Sequence, residues 1–167
     1  DAGPPLVHPS LIPMQSNSNP ARGDVLLPML FIGLMFFILG FVTWLNGSLI
    51  PFLKIVCELS NFQALWVAFA FYIAYTVMAL PSAAILARTG YKNGMTLALG
   101  VMALGALLFI PAARTGLYPI FLIALFTLAS GMTLMQTAIN PYIVCIGPRE
   151  SAALRISIMG LFNKGAG

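Results

Sequence analysis

The chain has 167 residues, of which 60% are apolar and 7% charged, with a mean hydropathy of +0.96 and a net charge of +4. A soluble domain carries roughly 25% charged residues, so an ordinary soluble globular protein is excluded. The eight Lys and Arg and four Asp and Glu are clustered, leaving uncharged stretches at 25–53, 59–87, 93–113 and 115–148. Each stretch is long enough to cross a bilayer as a helix, since ~20 apolar residues span ~30 Å of hydrocarbon.

Residues 1–23 are polar and proline-rich, with Pro4, Pro5, Pro9, Pro13 and Pro20 and the run Gln15-Ser16-Asn17-Ser18-Asn19. This composition predicts a disordered tail, without the basic start and small-residue cleavage site of a signal peptide. Met14 precedes the polar run and is the expected native start, with 1–13 lying upstream of it. The first span is predicted over about 26–52, wide enough to allow tilt or an irregular end near Gly47 and Pro51. Further spans follow over about 62–87, 92–112 and 118–146, and a fifth helix begins near Ser151 and runs to 167. Pro81 is compatible with a membrane helix whose neighbours satisfy the freed carbonyl. The fold class is therefore all-α and membrane-embedded, with four transmembrane helices and a truncated fifth over 24–167. The last segment stops inside a helical pattern, which predicts the first part of a larger helical protein.

Arg22, Arg88, Lys92, Arg149 and Arg155 fall on one side of this alternating topology and Lys54 and Arg114 on the other. The excess places the N-terminus in the cytoplasm by the positive-inside rule. It also accounts for the positive charge without nucleic acid, because the basic residues are spread over loops and form no patch. Cys57 and Cys145 are separated by three predicted helices, so no disulfide between them is expected.

No catalytic constellation is present. The single histidine, His8, lies in the tail, and Asp1, Asp24, Glu58 and Glu150 all lie outside the spans. No metal cluster or phosphate loop is found, so no cofactor is expected. The chemistry that remains is a sparse set of polar groups at membrane depth. Thr43 and Asn46 share one face of the first helix, Gln136 and Asn140 share one face of the fourth, and Tyr72, Tyr75 and Thr76 form a stripe on the second. Turned to a common centre, these would offer amides and hydroxyls between aromatic walls, which suits a neutral sugar. The competing reading is that such side chains only hydrogen-bond helix to helix. Amides cost more to leave unpaired than a Thr that bonds its own backbone, which favours Gln136 and Asn140 as cavity residues. Gly33, Gly40 and Gly47 recur every seven residues and would let another helix approach. Lys164, beside Asn163 in the fifth helix, is the charge placed deepest in an apolar run, and no acid of this chain is positioned to pair with it.

Several of these segments resemble a known family. Gly40-Phe-Val-Thr-Trp-Leu-Asn-Gly-Ser-Leu-Ile-Pro51, Asn61-Phe-Gln-Ala64, Phe71-Tyr72, Tyr75, Gln136-Thr-Ala-Ile-Asn-Pro-Tyr142 and Gly147-Pro-Arg-Glu-Ser151 resemble the glucose/galactose porters. These group with the fucose/proton symporters in the major facilitator superfamily, and N-acetylglucosamine permeases look similar. The resemblance covers about 26–167. It implies a twelve-helix permease of two halves, with this chain as most of the N-terminal half and the remaining C-terminal helices as its partner. A sugar would bind between the halves and be exposed to each side alternately. It also implies that Arg88, Gly90 and Lys92 belong to the superfamily's basic cytoplasmic loop, with Ala87 where that motif usually has Asp. Arg149 belongs to the same cytoplasmic region.

The resemblance further implies carboxylates in fucose symporters at the places where this chain has Gly47 and Gln136. A buried carboxylate can carry a proton, whereas glutamine cannot titrate. Sodium coupling through neutral oxygens and proton coupling through the other half both remain open. The resulting expectation is a bacterial inner-membrane hexose symporter, with Thr43, Asn46, Tyr72, Gln136, Asn140, Asn163 and Lys164 as substrate-facing candidates. A membrane-embedded enzyme and a helical scaffold are the alternatives.

Overall fold

The computed structural model describes residues 22–56, 58–147 and 149–167, with the side chains of 22–25, 56 and 149 left aside. The expected start at Met14, almost all of the expected tail, and Cys57 lie outside these described residues. Four α-helices follow one another: α1 (Arg22–Val56), α2 (Asn61–Thr115), α3 (Tyr118–Cys145) and α4 (Ala152–Gly165), with a single 3-10 turn, Arg149–Ser151, before the last. α1, α2 and α3 are each long and apolar enough to cross a membrane.

Helix α1 is continuous through Pro28, Gly47 and Pro51, so of the two ways its length allows, tilt or an irregular end, the helix shows no irregular end at Gly47 or Pro51. Its end is closed by Leu59, whose N–H donates to the Lys54 carbonyl at 3.1 Å. Between them Glu58 takes a left-handed conformation, with φ 48°. Ser60 then starts α2 with a reciprocal cap: its Oγ accepts from the Gln63 N–H at 3.3 Å, and its own N–H donates to Gln63 Oε1 at 3.0 Å. This box satisfies two N–H groups that the helix start would leave open.

At 55 residues and ~1.5 Å per residue, a straight α2 would be more than twice as long as a bilayer core is thick. It is instead two arms, 61–89 and 91–115, broken at Gly90 with φ 76° and ψ 171°. That region of backbone space is essentially reserved for glycine. The reversal brings the Leu86 side chain against Gly94. The two arms correspond to the second and third predicted spans, and the connection between them is tightened to a break at the single residue Gly90. The second arm ends at Gly116, left-handed with φ 64°, whose N–H donates to Ala112 at 2.9 Å.

Helix α3 runs back along that second arm. A Cβ added at Gly105 would lie 2.6 Å from Leu128 N, and one at Gly131 would lie 2.7 Å from Met102 N. The pairing of 105 with 128 and of 102 with 131 is antiparallel. These two glycines let the backbones touch, and Ala98, Met102, Leu125, Ala129, Met132 and Met135 fill the core beside them. At the opposite end from Gly90, Tyr118 Oη donates to the Gln63 carbonyl at 2.8 Å. α3 is the central helix: 61% of its most apolar window is buried, against 22% for α1 and for α2.

Helices α1 and α4 form the second pair. Gly33 faces Met159 and Phe162, and Gly40 lies against the Asn163 backbone; this rising register makes the two helices parallel. Gly47, the third glycine of the expected strip, has nothing within 4 Å of where a Cβ would stand. Within the repeat the close backbone approach is therefore confined to Gly40, with Gly33 in ordinary side-chain contact. α1 packs chiefly on α4 and α2 chiefly on α3, with sparser contact between the pairs. The start of α1 shares a crevice with Met95 and Tyr142. The Gly90 turn, the α3 end and the α1 start consequently lie at one end of the bundle, with the chain alternating direction at each pass.

Candidate functional site

Most hydroxyls on these helices are already used by the backbone that carries them. Thr43 Oγ1 donates to the Leu39 carbonyl at 2.7 Å, Thr76 to Tyr72 at 3.3 Å, Thr133 to Ala129 at 2.9 Å and Thr137 to Thr133 at 2.8 Å. A hydroxyl can bond the carbonyl four residues earlier in its own helix; the amides lack that local partner and must look elsewhere.

The amides divide into two kinds. Asn163, half-buried, donates from Nδ2 to the Phe36 carbonyl at 3.1 Å, across the contact at Gly40. It ties α4 to α1, as the helix-to-helix reading of such residues requires. Gln136 is half-buried and Asn140 exposed on α3, and neither makes a hydrogen bond to another described residue. Asn46 is buried on α1, at 8% exposure, and its Oδ1 has no partner. An unpaired buried amide oxygen costs about 1–3 kcal/mol, so Asn46 is a poor choice for packing alone. Gln136 and Asn140, four apart on the central helix, present one continuous strip of unpaired donors and acceptors.

The other predicted residues fall differently. Tyr72 is 69% exposed with its ring edge-on to Phe71 at 5.8 Å, while Tyr75 is the half-buried member of that stripe, 5.3 Å from the same ring. Lys164 is exposed in the last turn of α4. Among the described residues, no hydrogen bond joins the α1, α2 and α3 stripes to one another. Arg88 and Lys92 are exposed on either side of the Gly90 break, where Thr89 Oγ1 donates to Ile85 at 2.9 Å. Arg149 begins the 3-10 turn at the same end, and its side chain lies outside the described residues.

Sequence reasoning missed Arg155. It was counted only as a topological charge, yet it is 6% exposed. The signal was available in its position: a charge in the first turns of an apolar helix, flanked by Leu154 and Ile156, must find acceptors inside the protein.

Comparison with known proteins agrees with this architecture. A profile of the Major Facilitator Superfamily matches residues 7–167. The chain is 45% identical over 130 residues to the "Glucose/galactose transporter" of Brucella abortus biovar 1 (strain 9-941), covering 78% of this chain and 32% of that protein. It is 34% identical over 138 residues to the "L-fucose-proton symporter" of Escherichia coli (strain K12), covering 83% and 32% respectively. A crystal structure of the Major Facilitator Superfamily transporter FucP in the outward conformation superposes with a TM-score of 0.75 at 33% identity, covering 86% of this chain and 34% of that one. These relatives carry transporter names, not enzyme names. The chain spans about a third of the length of the relatives it matches. On the extent of the profile match and the relatives together, the chain belongs to the Major Facilitator Superfamily.

Proposed function

We propose that these helices form part of the N-terminal half of a bacterial cytoplasmic-membrane permease that moves a hexose by alternating access. The observation that carries the reading is the strip of unpaired amides, Gln136 and Asn140, on the most enclosed helix, with the orphaned Asn46 oxygen on α1. Neighbouring hydroxyls are spent on their own backbone, whereas these amides are kept available. A sugar hydroxyl both donates and accepts, as an amide does. The relatives named as glucose/galactose transporters make glucose or galactose the first substrates to test, with fucose and N-acetylglucosamine after them.

The N-terminus is assigned to the cytoplasm. Support comes from Arg88, Lys92 and Arg155, which gather with the Gly90 turn at the end where α1 starts, in keeping with the positive-inside rule. Transport is proposed as cation-coupled, in line with the relatives named proton symporters. The one Asp or Glu between 26 and 147 is Glu58, which lies in the α1–α2 turn and outside the spans. A proton carrier would therefore belong to helices beyond this sequence, whereas sodium could be held by neutral oxygens.

The test is uptake of radiolabelled glucose, galactose, fucose and N-acetylglucosamine by the full-length protein in proteoliposomes, with sodium and proton gradients imposed separately. Accumulation under one gradient supports the proposal and identifies the cation. No accumulation of any of the four sugars under either gradient refutes it.

A further inference from the structure

Helix α3 leaves its last carbonyls open, and no basic residue stands in its own last turn. The final backbone bond at that end is Ile146 N–H to Tyr142 O, at 3.2 Å, so Ile143 offers the first carbonyl without a helical donor. Arg155 of α4 supplies that donor: its Nε–H reaches Ile143 O at 3.3 Å. Its Nη1 donates to Ser151 Oγ at 2.6 Å. One planar guanidinium thereby grips both ends of the connection between α3 and α4. A cation at a helix C-terminus is also favoured by the helix dipole.

Gly147 lies directly over this group. A Cβ there would stand 2.6 Å from Nη1 and 3.2 Å from Cζ of Arg155, so a side chain at 147 would push the guanidinium aside. Apart from Arg155 itself the surrounding crevice is apolar, lined by Met29 and Ile32 of α1, Ile143 and Ile146 of α3, and Met159 of α4.

The remaining side-chain hydrogen bonds between helices stay within a pair. Tyr118 to Gln63 joins α3 to α2, and Asn163 to Phe36 joins α4 to α1. Among the described residues, Arg155 to Ile143 is the one side-chain bond that crosses from the α1–α4 pair to the α2–α3 pair. We propose that Arg155 is a latch that makes the two helix pairs move as one body, holding Asn46 on α1 at a fixed separation from Gln136 and Asn140 on α3. Arg155 is thus a positioning residue. The latch does not depend on which solute is carried, and its test is independent of transport.

The experiment measures spin-label distance distributions in the full-length protein with its native cysteines, Cys57 and Cys145 among them, replaced by serine. One label sits on α3 at the exposed position Ile123; the second sits either at Leu30 on α1, across the pairs, or at Leu97 on α2, within a pair. Arg155→Gln is expected to widen the 123–30 distribution about twofold while leaving 123–97 unchanged, as release of one local unit from another requires. Gly147→Ala, which keeps the arginine but displaces it, is expected to do the same, and the double variant should be no wider than either single one. Equal widening of both label pairs, unchanged widths, or additive widening in the double variant would overturn the proposal. Gly147→Ala alone decides the matter if Arg155→Gln does not reach the membrane.

Discussion

The two helix pairs solve the problem of holding together in a membrane in opposite ways. Lipid tails are as apolar as leucine, so burying apolar surface gives little drive for helices to associate there, and close fit must do it instead. In the α2–α3 pair the fit is complete: Gly105 and Gly131 put backbone against backbone, and hydroxyls such as Thr133 are bonded within their own helix. The α1–α4 pair touches closely at Gly40 and again where Trp44 of α1 meets Gly167 just past α4, is tied by the Asn163 amide, and carries the orphaned Asn46 oxygen. The difference teaches that polar groups are not distributed as glue wherever helices meet. The tightest interface is tied across only at its end, by Tyr118 Oη to the Gln63 carbonyl, and the amides Gln136 and Asn140 of α3 make no hydrogen bond across it.

Substitutions that attack each pair should therefore differ in kind. The largest effect is expected from Gly131→Leu, whose side chain must enter the Met102 backbone; overpacking costs 1–3 kcal/mol or more, and thermal unfolding in detergent should show little folded protein. Next comes Gln136→Ala, expected to lower hexose uptake by about ten- to a hundredfold, the equivalent of 1–3 kcal/mol lost from a buried polar contact, with expression and melting temperature unchanged. Asn46→Leu should separate stability from function. Removing an unpaired buried oxygen is expected to raise stability by about 1 kcal/mol while uptake falls, and a fall in both would make Asn46 a structural residue. The smallest effects distinguish two glycines of the same repeat. Gly40→Ala should destabilise by ~1–3 kcal/mol because its methyl meets the Asn163 carbonyl. Gly47→Ala, with open space around it, should be neutral or slightly stabilising, as expected for Gly to Ala inside a helix; paired thermal melts check both.

What could be read from the sequence follows from what is local. Gaps between charges locate apolar helices because a buried charge is costly wherever it sits, and the i, i+4 spacing of Gln136 and Asn140 fixes a shared face without knowledge of any neighbour. The reciprocal Ser60 and Gln63 cap was equally local and was overlooked. The Gly90 turn was harder to see: the Arg88 to Lys92 cluster marks a reversal, but only backbone angles show that one glycine accomplishes it. Partner choice across helices was not legible. Nothing adjacent in sequence says that Asn163 will find the Phe36 carbonyl, 127 residues away, or that the acceptor Arg155 needs will be the Ile143 carbonyl at the end of α3. Those outcomes depend on where α4 lands, which packing decides.

The central claim is that the α3 amide strip faces the transported solute. It is tested most directly by placing single cysteines at Gln136→Cys and Asn140→Cys in an otherwise cysteine-free full-length protein and measuring their alkylation rates with and without D-glucose or D-galactose. Leu107→Cys, exposed on the second arm of α2, serves as the control. The account expects the sugar to slow alkylation at 136 and 140 and leave 107 unchanged, with L-glucose inert. Identical rates at 136 and 140 with and without any of the four candidate hexoses would contradict it.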